Sequence, residues 1–161
     1  MAKKVNPIPY DNQNIVPYIM VDNVIKLITF LQSAFNAELT YKLDRPDGTV
    51  MHAEMKIGKN RIMMGEPTDQ FGSMPVSIYM YVTNCDKVYQ LALQAGGTSM
   101  MEVKTMKHAG ERYGCVKDFA GNIWWIATHV EDMTLEESKR RIKEMAKNST
   151  VVVRVDTKHN S

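Results

Sequence analysis

The stretch that most limits what this chain can fold into is residues 112–129, which read R-Y-G-C-V-K-D-F-A-G-N-I-W-W-I-A-T-H. Two apolar segments are joined there by the Asp, Gly and Asn residues of 118–122, which favour a tight turn. On the second segment, strand alternation places Trp124 on one face and Trp125 on the other, each with an apolar neighbour. A strand that is apolar on both faces must be covered on both faces. We therefore predict a helix against one face and a second protein layer or a cavity wall against the Trp125 face, where we expect function to lie.

The chain repeats one order of elements twice. Apolar alternation and turn residues predict a strand, a helix and three strands, first in residues 14–66 and again in residues 76–130. The strings V-D-N-V-I-K-L-I and V-T-N-C-D-K-V-Y open the two predicted helices at equivalent places, which is typical of an internal repeat. The predicted fold class is α+β, built from two βαβββ modules.

The predicted elements can be placed along the chain from their caps and turns. The strands are expected at residues 15–21, 38–44, 50–57, 61–65, 76–82, 98–103, 114–119 and 122–128, and the module helices at 24–35 and 87–94. The predicted division is a flexible arm at 1–13, the first module at 14–66, a linker at 67–75, the second module at 76–130, a C-terminal helix at 131–148 and a tail at 149–161.

Composition excludes several classes of function. The 161 residues are 44% hydrophobic, which suits one compact domain or two small halves with a common core. The net charge of +2 with no basic stripe argues against a nucleic-acid partner. No segment approaches the ~20 apolar residues of a membrane span, so we expect no membrane partner and a cytoplasmic protein. Cys85 and Cys115 lie far apart and are predicted to be free, buried thiols.

Several strings carry a family resemblance: V-P-Y-I-M-V-D-N, F-L-Q-S-A-F-N-A-E, D-G-T-V-M-H-A-E-M-K-I-G and G-E-R-Y-G-C-V-K-D-F-A-G-N-I-W-W-I-A-T-H-V-E-D. With the duplicated βαβββ unit, they resemble the vicinal oxygen chelate superfamily, which includes glyoxalase I, extradiol dioxygenases, fosfomycin-resistance enzymes and bleomycin-binding proteins. The PhnB-like branch is the most similar. The resemblance implies curled mixed sheets that close around a shared cavity with helices outside, and a homodimer. Whether the modules pair within a chain or across a dimer is left open.

The resemblance also implies where a divalent metal would be bound in the metal-dependent members. The corresponding positions of this chain are Val16, Met63, Ser77 and Trp125. A hard divalent ion needs carboxylate or imidazole ligands, which none of these side chains supplies. We therefore expect no metal site and no cofactor.

The same alternation places an aromatic and methionine-rich set of side chains on the cavity side. Such a set suits small planar or cationic ligands; alternatively, these side chains simply fill the space between the sheets. Glu111 and Arg112 either gate the cavity mouth or pair with each other. The candidate ligand-binding residues are Tyr18, Met20, Met63, Ser77, Tyr79, Tyr81, Arg112 and Trp125.

His52 and Glu54 lie two residues apart on one strand and therefore point the same way. They are the candidate catalytic residues, as an acid–base pair. Two other interpretations remain open: a displaced metal site completed by His108 or His129, or a hydrogen-bonded polar pair on a wetted sheet surface.

The leading functional hypothesis is metal-independent binding of a small molecule, a PhnB-like and bleomycin-resistance-like sequestration in an aromatic cavity. One alternative is a glyoxalase-like or dioxygenase-like lyase or isomerase that uses His52 and Glu54, with or without a divalent metal. The other is a regulatory or interaction protein that uses the C-terminal helix.

Overall fold

The structure is a computed structural model that describes residues 6–10 and 13–155. The remaining parts of the predicted arm and tail, residues 1–5, 11–12 and 156–161, lie outside the described residues. The elements in chain order are β1 (Tyr18–Met20), α1 (Val24–Phe35), β2 (Glu38–Asp44), β3 (Val50–Ile57), β4 (Asn60–Gly65), β5 (Ser77–Tyr81), α2 (Cys85–Gln94), β6 (Thr98–Met106), β7 (Glu111–Lys117), β8 (Ile123–His129) and α3 (Leu135–Val155).

The strands form two four-stranded sheets of identical topology, with the orders β1-β4-β3-β2 and β5-β8-β7-β6. In each sheet the first strand pairs in parallel with the last, and the other pairs are antiparallel. The parallel pairing requires a crossover, which α1 supplies in the first module and α2 in the second. The prediction of an α+β fold made of two βαβββ modules is confirmed.

Asparagine side chains fix where the module helices begin and end. At the start of α1, the Asn23 side chain accepts a hydrogen bond from the Lys26 amide at 3.1 Å. Asn36 ends this helix in the left-handed conformation, with φ 52°. Asn84 caps α2 by accepting from the Lys87 amide at 2.9 Å, so that helix begins two residues before its predicted start.

One hydrophobic core joins the two modules. The helices α1 and α2 pack against each other, and the Phe35 ring of α1 lies 5.0 Å from the Trp124 ring of β8, between centroids. Because these helices cover one face of each sheet, the side chains on those faces are removed from water. The largest of the buried side chains on these faces are Trp124, Ile19, Met55, Met64 and Ile126, and Leu27 and Leu31 of α1 belong to the same core.

A buried carboxylate organises the turn before β8. Asp118 accepts hydrogen bonds from the Asn122 amide at 3.0 Å, from the Asn122 side chain at 2.8 Å and from the Trp124 indole at 3.0 Å. Gly121 provides the positive φ of 89° that the turn needs. Since the indole of Trp124 is held on the inner side, the alternation of β8 sets Trp125 on the opposite face.

The hairpin of β6 and β7 is longer than predicted at both of its inner ends. In the structure, β6 extends to Met106 and β7 begins at Glu111, whereas the sequence predicted that β6 ends at residue 103 and that β7 begins at residue 114. The polar pair Glu111 and Arg112 weakens the apolar alternation on which the prediction depended. Each of the two side chains finds polar partners on its own side of the sheet, and the strand therefore continues through them.

Other boundaries differ at the ends of the chain. The strand β1 spans three residues, because its parallel pairing with β4 runs only from Tyr18 to Met20. The helix α3 continues to Val155, past the predicted end at 148. Arg141 ties α3 to the second module through Glu131 at 2.7 Å and the Lys107 carbonyl oxygen at 2.7 Å.

Two further expectations concern membrane spans and thiols. In the residues that the structure covers, no helix has both the length and the apolar character needed to cross a membrane. Cys85 and Cys115 are free and buried, as the sequence predicted.

Candidate functional site

The face of the second sheet opposite its helix carries a cluster of aromatic rings. Tyr79 lies at its centre, with ring centroids 5.4 Å from Tyr81, 5.9 Å from Tyr113 and 6.4 Å from Trp125. The Tyr79 and Trp125 planes are nearly parallel, at 18°, and Tyr113 stands edge-on to Trp125 at 69°. We call these four residues the aromatic face. Tyr79 and Tyr81 are 43% and 63% exposed, so the rings are open to solvent in a single chain.

Strand pairing and one hydrogen bond fix the Trp125 side chain. Trp125 pairs with Tyr79 of β5 and with Cys115 of β7, which places it in the middle of the sheet. Its indole N–H donates to the Ser77 hydroxyl at 3.1 Å. The predicted residues Ser77, Tyr79, Tyr81 and Trp125 are therefore brought together on one surface.

A carboxylate lies at one end of the aromatic face. Glu111 accepts a hydrogen bond from the Tyr79 hydroxyl at 2.5 Å on one oxygen and from the Tyr81 hydroxyl at 2.6 Å on the other. Burial, followed by this hydrogen bond, raises the pKa of Tyr79. The hydrogen bond to Glu111 is the main reason that the pKa of Tyr81 is also raised. Both phenols consequently remain donors at neutral pH, and Glu111 is held in place as an acceptor.

Sequence reasoning placed Glu111 either at the cavity mouth or in a pair with Arg112, and it did not select Tyr113. Both are on β7, and Glu111, Tyr113 and Cys115 share one side of that strand by alternation. The signal was available in the string E-R-Y-G-C, but the prediction began β7 at residue 114 and so left these residues in a loop.

Arg112 does not belong to the aromatic face, contrary to its selection as a ligand-binding residue. As the neighbour of Glu111 on β7 it points to the opposite side of the sheet, where its guanidinium binds Asp86 of α2 at 2.6 and 2.8 Å. Arg112 also contacts the Thr105 hydroxyl at 3.3 Å. The predicted alternative of a Glu111–Arg112 pair is wrong for the same reason of alternation, because adjacent strand residues face away from each other.

The open face of the first sheet carries a series of hydrogen-bonded side chains that is more polar than the aromatic face. His52 lies between Tyr18, whose hydroxyl is 3.3 Å from Nδ1, and Glu54, whose Oε1 is 3.4 Å from Nε2. The other oxygen of Glu54 accepts from the Tyr10 hydroxyl at 2.6 Å and lies 3.7 Å from the Arg61 guanidinium. The pKa of Tyr10 is raised, chiefly by this hydrogen bond.

The predicted residues Met20 and Met63 also belong to the first sheet. Met63 pairs with Tyr18 on one side and Glu54 on the other, so it shares their face. Met20 pairs with Gly65, and its carbonyl oxygen accepts from the Met74 amide at 2.7 Å. Tyr10 was not predicted here, because nothing in the local pattern of the N-terminal segment indicates which strand it meets.

The two open faces are separate in one chain. The helices α1 and α2 join the modules through the opposite faces of the sheets. Tyr18 is 41% exposed, as Tyr79 and Tyr81 are exposed on the other sheet. The shared cavity that the resemblance implies is thus not closed within a single chain. His108 and His129, which were considered as partners of His52, belong to the second module, and His129 pairs with Asp132 at 3.0 Å.

The positions that correspond to the family metal site do not fit a divalent ion. Met63 lies on the first sheet, and Ser77, which has the only hydroxyl of the set, accepts the indole N–H of Trp125. Hard divalent ions take carboxylate, carbonyl or imidazole ligands. In residues 6–10 and 13–155, no three His, Cys, Asp or Glu side chains converge where they could hold a metal ion.

A polar depression of about 330 Å³ lies away from both open faces. It is lined by Asp22, Arg45, Asp47 and Glu66 among others. Arg45 donates to the Glu66 carbonyl oxygen and to the Thr49 hydroxyl, at 3.1 Å each. Arg45, Asp47 and Glu66 already form hydrogen bonds with neighbouring residues, so these three groups hold the loops around the depression together.

Comparison with known proteins identifies relatives at the level of sequence. No family model matches this chain. The uncharacterized protein Mb0911c of Mycobacterium bovis is 30% identical over 132 residues, which cover 75% of this chain and 86% of that protein. An identity of this size over most of both chains establishes a common family.

Solved structures are similar in fold. TioX from Micromonospora sp. ML1 has a TM-score of 0.63 at 18% identity and covers 74% of this chain and 100% of its own. The PhnB protein of Bacillus cereus has a TM-score of 0.59 at 20% identity, with 72% and 99% covered. The fosfomycin resistance protein FosX of Listeria monocytogenes has a TM-score of 0.54 at 18% identity, with 80% and 98% covered. The chain thus belongs to the family of the mycobacterial protein and has the vicinal oxygen chelate fold.

Proposed function

We propose that this protein binds a small planar molecule on the aromatic face of its second sheet, without a metal. The observation that carries the proposal is the gathering of four aromatic rings on one solvent-open surface, around the central Tyr79. Side chains that served only to fill a core would be buried, whereas Tyr81 is 63% exposed. Large exposed rings with fixed hydroxyl and indole donors are typical of ligand-binding surfaces.

The rings and their polar atoms contribute to recognition in different ways. Each aromatic contact contributes about 0.5–1.5 kcal/mol beyond the area that it buries. The Trp125 indole is held by Ser77, and the phenols of Tyr79 and Tyr81 are held by Glu111, so little side-chain freedom remains to be lost on binding. The surface is therefore pre-organised for a flat ligand.

A neutral planar fluorophore, N-phenyl-1-naphthylamine, tests this proposal. We expect saturable binding to the chelator-treated protein, and a loss of affinity of about 10-fold in Tyr79→Ala, which corresponds to about 1.4 kcal/mol. Ile25→Ala serves as the control, because Ile25 is an exposed apolar residue on α1. Equal affinities in wild type and Tyr79→Ala would contradict the proposal, as would binding only after divalent ions are added.

We propose in addition that the protein is a homodimer whose second copy encloses the open sheet faces in a shared cavity that leaves room for the ligand. Within one chain both faces leave large rings exposed, namely Tyr18 and Tyr41 on the first sheet and Tyr79 and Tyr81 on the second. A cavity shared by two sheets, as in the resemblance, then forms between chains, because within one chain the helices join the modules through their other faces.

Sedimentation equilibrium tests the dimer. We expect twice the mass of the chain at micromolar concentration, and a shift towards monomer in Tyr18→Asp, which places a charge on the covered face. Asp132→Asn is a matched control outside both faces, since Asp132 is fully exposed beyond the end of β8. A wild type that is still monomeric at about 50 µM would contradict the proposal, because a dimer with a dissociation constant in the micromolar range is assembled at that concentration.

A second candidate function rests on the hydrogen-bonded series Tyr18, His52, Glu54 and Tyr10. A histidine oriented by a carboxylate is a general acid–base arrangement. A glyoxalase-like isomerase would use it to move a proton at a carbon atom next to a carbonyl group. We expect His52→Ala to abolish any such turnover while it leaves fluorophore binding intact; retained turnover would exclude a role for His52.

A further inference from the structure

Within the described part of the chain, Glu111 is a carboxylate without a cationic partner, on a surface made of aromatic rings. The hydrogen bonds that its two oxygens accept there come from the neutral phenols of Tyr79 and Tyr81. We infer that the ligand of the aromatic face is a small organic cation, with Glu111 as its counter-charge and the rings as its contact surface. This inference rests on the proposed binding function and specifies the charge of the ligand.

The nearby cations of the second sheet are engaged elsewhere or lie outside ion-pair distance of Glu111. Arg112 is bound to Asp86 on the helix side. His129, which pairs with Glu111 across the strands, has its Nε2 3.0 Å from Asp132. Lys104 pairs with Tyr113 from the outer strand β6, and within the described residues Glu111 forms no ion pair with it. The carboxylate therefore leaves negative charge at the edge of the rings.

The hydrogen-bonding capacity of Glu111 is only partly used. A carboxylate has about four acceptor positions, and the two phenols occupy one on each oxygen. One acceptor position on each oxygen remains for a donor from a ligand. An amidinium or ammonium group supplies such donors together with a positive charge, which gives short, charge-assisted hydrogen bonds.

The rings favour the same sign of charge. The faces of tyrosine and tryptophan rings are electron-rich, and a cation within about 6 Å of a ring centroid gains about 0.5–1 kcal/mol at an exposed site and more when water is excluded. Tyr79 contacts the rings of Tyr81, Tyr113 and Trp125 at centroid distances of 5.4 to 6.4 Å. A cation placed against Glu111 lies next to the hydroxyl groups of Tyr79 and Tyr81, at the end of a surface that attracts the same sign of charge.

The competing explanation is that Glu111 serves only to hold the two tyrosines in place. In that case the charge of the ligand would have no effect on affinity. The two explanations therefore differ in a measurable way, which requires ligands that share a shape and differ in charge.

Benzamidinium, benzamide and benzoate form such a series, because each is a benzene ring with a planar substituent of similar size and a charge of about +1, 0 or −1 at pH 7. We expect calorimetry on the intact protein to give at least about 10-fold tighter binding of benzamidinium than of benzamide, and weaker binding still of benzoate. In Glu111→Gln the three affinities converge to within about 2-fold of one another; the comparison is made within that variant, because any loss of tyrosine positioning affects the three ligands alike. Glu54→Gln, a carboxylate replaced on the other open face, keeps the preference.

The outcomes separate this inference from the proposed function. If benzamidinium and benzamide bind the wild type equally well, the inference is wrong and the proposed aromatic binding site stands. If none of the three binds, or if Tyr79→Ala binds all of them unchanged, the proposed site itself is wrong. If the preference for benzamidinium is lost in Glu54→Gln and kept in Glu111→Gln, the cation binds the first sheet and the inference is wrong.

Discussion

Replacing Asp118 by alanine removes the acceptor that holds the indole of Trp124 on β8. The carboxylate accepts from the side chains of Asn122 and Trp124, which are both fully buried, and from backbone amides of the turn. In the alanine variant these two buried donors have no acceptor, and each costs about 1–3 kcal/mol. The sum is about 4 kcal/mol, which is a large part of the free energy of unfolding of a typical domain, roughly 5–15 kcal/mol.

Urea denaturation followed by far-ultraviolet circular dichroism measures this loss. With a slope of about 2 kcal/mol per molar urea, the midpoint should fall by about 2 M. Asp118→Asn keeps one acceptor oxygen and should lose about half as much. Asp132→Ala, at a fully exposed carboxylate, should change stability by less than about 0.5 kcal/mol. A loss below about 1 kcal/mol in Asp118→Ala would refute the argument that this carboxylate organises the turn.

Further predictions concern titration, thiol reactivity and backbone strain. The pKa values of Tyr79 and Tyr81 are raised, so the stability that these phenols contribute is complete below pH of about 10 and is lost as the pH rises further. Absorbance at 295 nm should show three late-titrating tyrosines, because the pKa of Tyr10 is raised as well. Glu111→Gln should bring the pKa of Tyr81 back towards its ordinary value and lower that of Tyr79 only in part, since burial is the main cause of the Tyr79 shift. Burial raises the pKa of Cys115, and we expect it to react with Ellman's reagent only on unfolding; rapid reaction in the native protein would contradict this. In Gly110→Ala the free energy of unfolding measured by urea denaturation should fall by at least about 2 kcal/mol. The reason is that Gly110 has φ 67° and an added Cβ would lie 2.1 Å from the Glu131 carbonyl oxygen. An unchanged midpoint would contradict this prediction.

The fold could be predicted from the sequence because its signals are local and occur twice. Asn23, Asn36 and Asn84 mark helix ends by cap chemistry that depends on a few neighbouring residues. The alternation of β8 correctly separated Trp124 from Trp125, since a strand has a period of two residues wherever it lies. Repetition of the same order in the second module then supported each assignment in the first.

Strand boundaries at polar residues could not be predicted in the same way. Glu111 and Arg112 weaken the apolar pattern of β7, and their role depends on Tyr79, Tyr81 and Asp86, which are distant in the chain. The location of these partners follows from the tertiary fold. Sequence reasoning therefore named three of the four rings of the aromatic face, missed Tyr113, and did not find the partners of Glu111 and Arg112.

Which faces of the two sheets meet within one chain could not be predicted from the sequence either. Alternation indicates that Tyr18 and Tyr79 lie on the non-helical faces of their sheets, and the structure agrees. Which faces meet in one chain depends on how α1 packs against α2, a contact between amphipathic helices that many arrangements would satisfy. The residues of one predicted cavity are consequently divided between two surfaces.

The most direct test of the binding surface is a fluorine NMR titration of protein labelled with 5-fluorotryptophan, which reports on the two tryptophans separately. Trp124 is buried against Phe35, whereas Trp125 lies on the aromatic face. We predict that benzamide shifts the Trp125 resonance in a saturable way and leaves that of Trp124 unchanged. A Trp125 resonance that stays in place at saturating ligand, or a response confined to Trp124, would contradict the account.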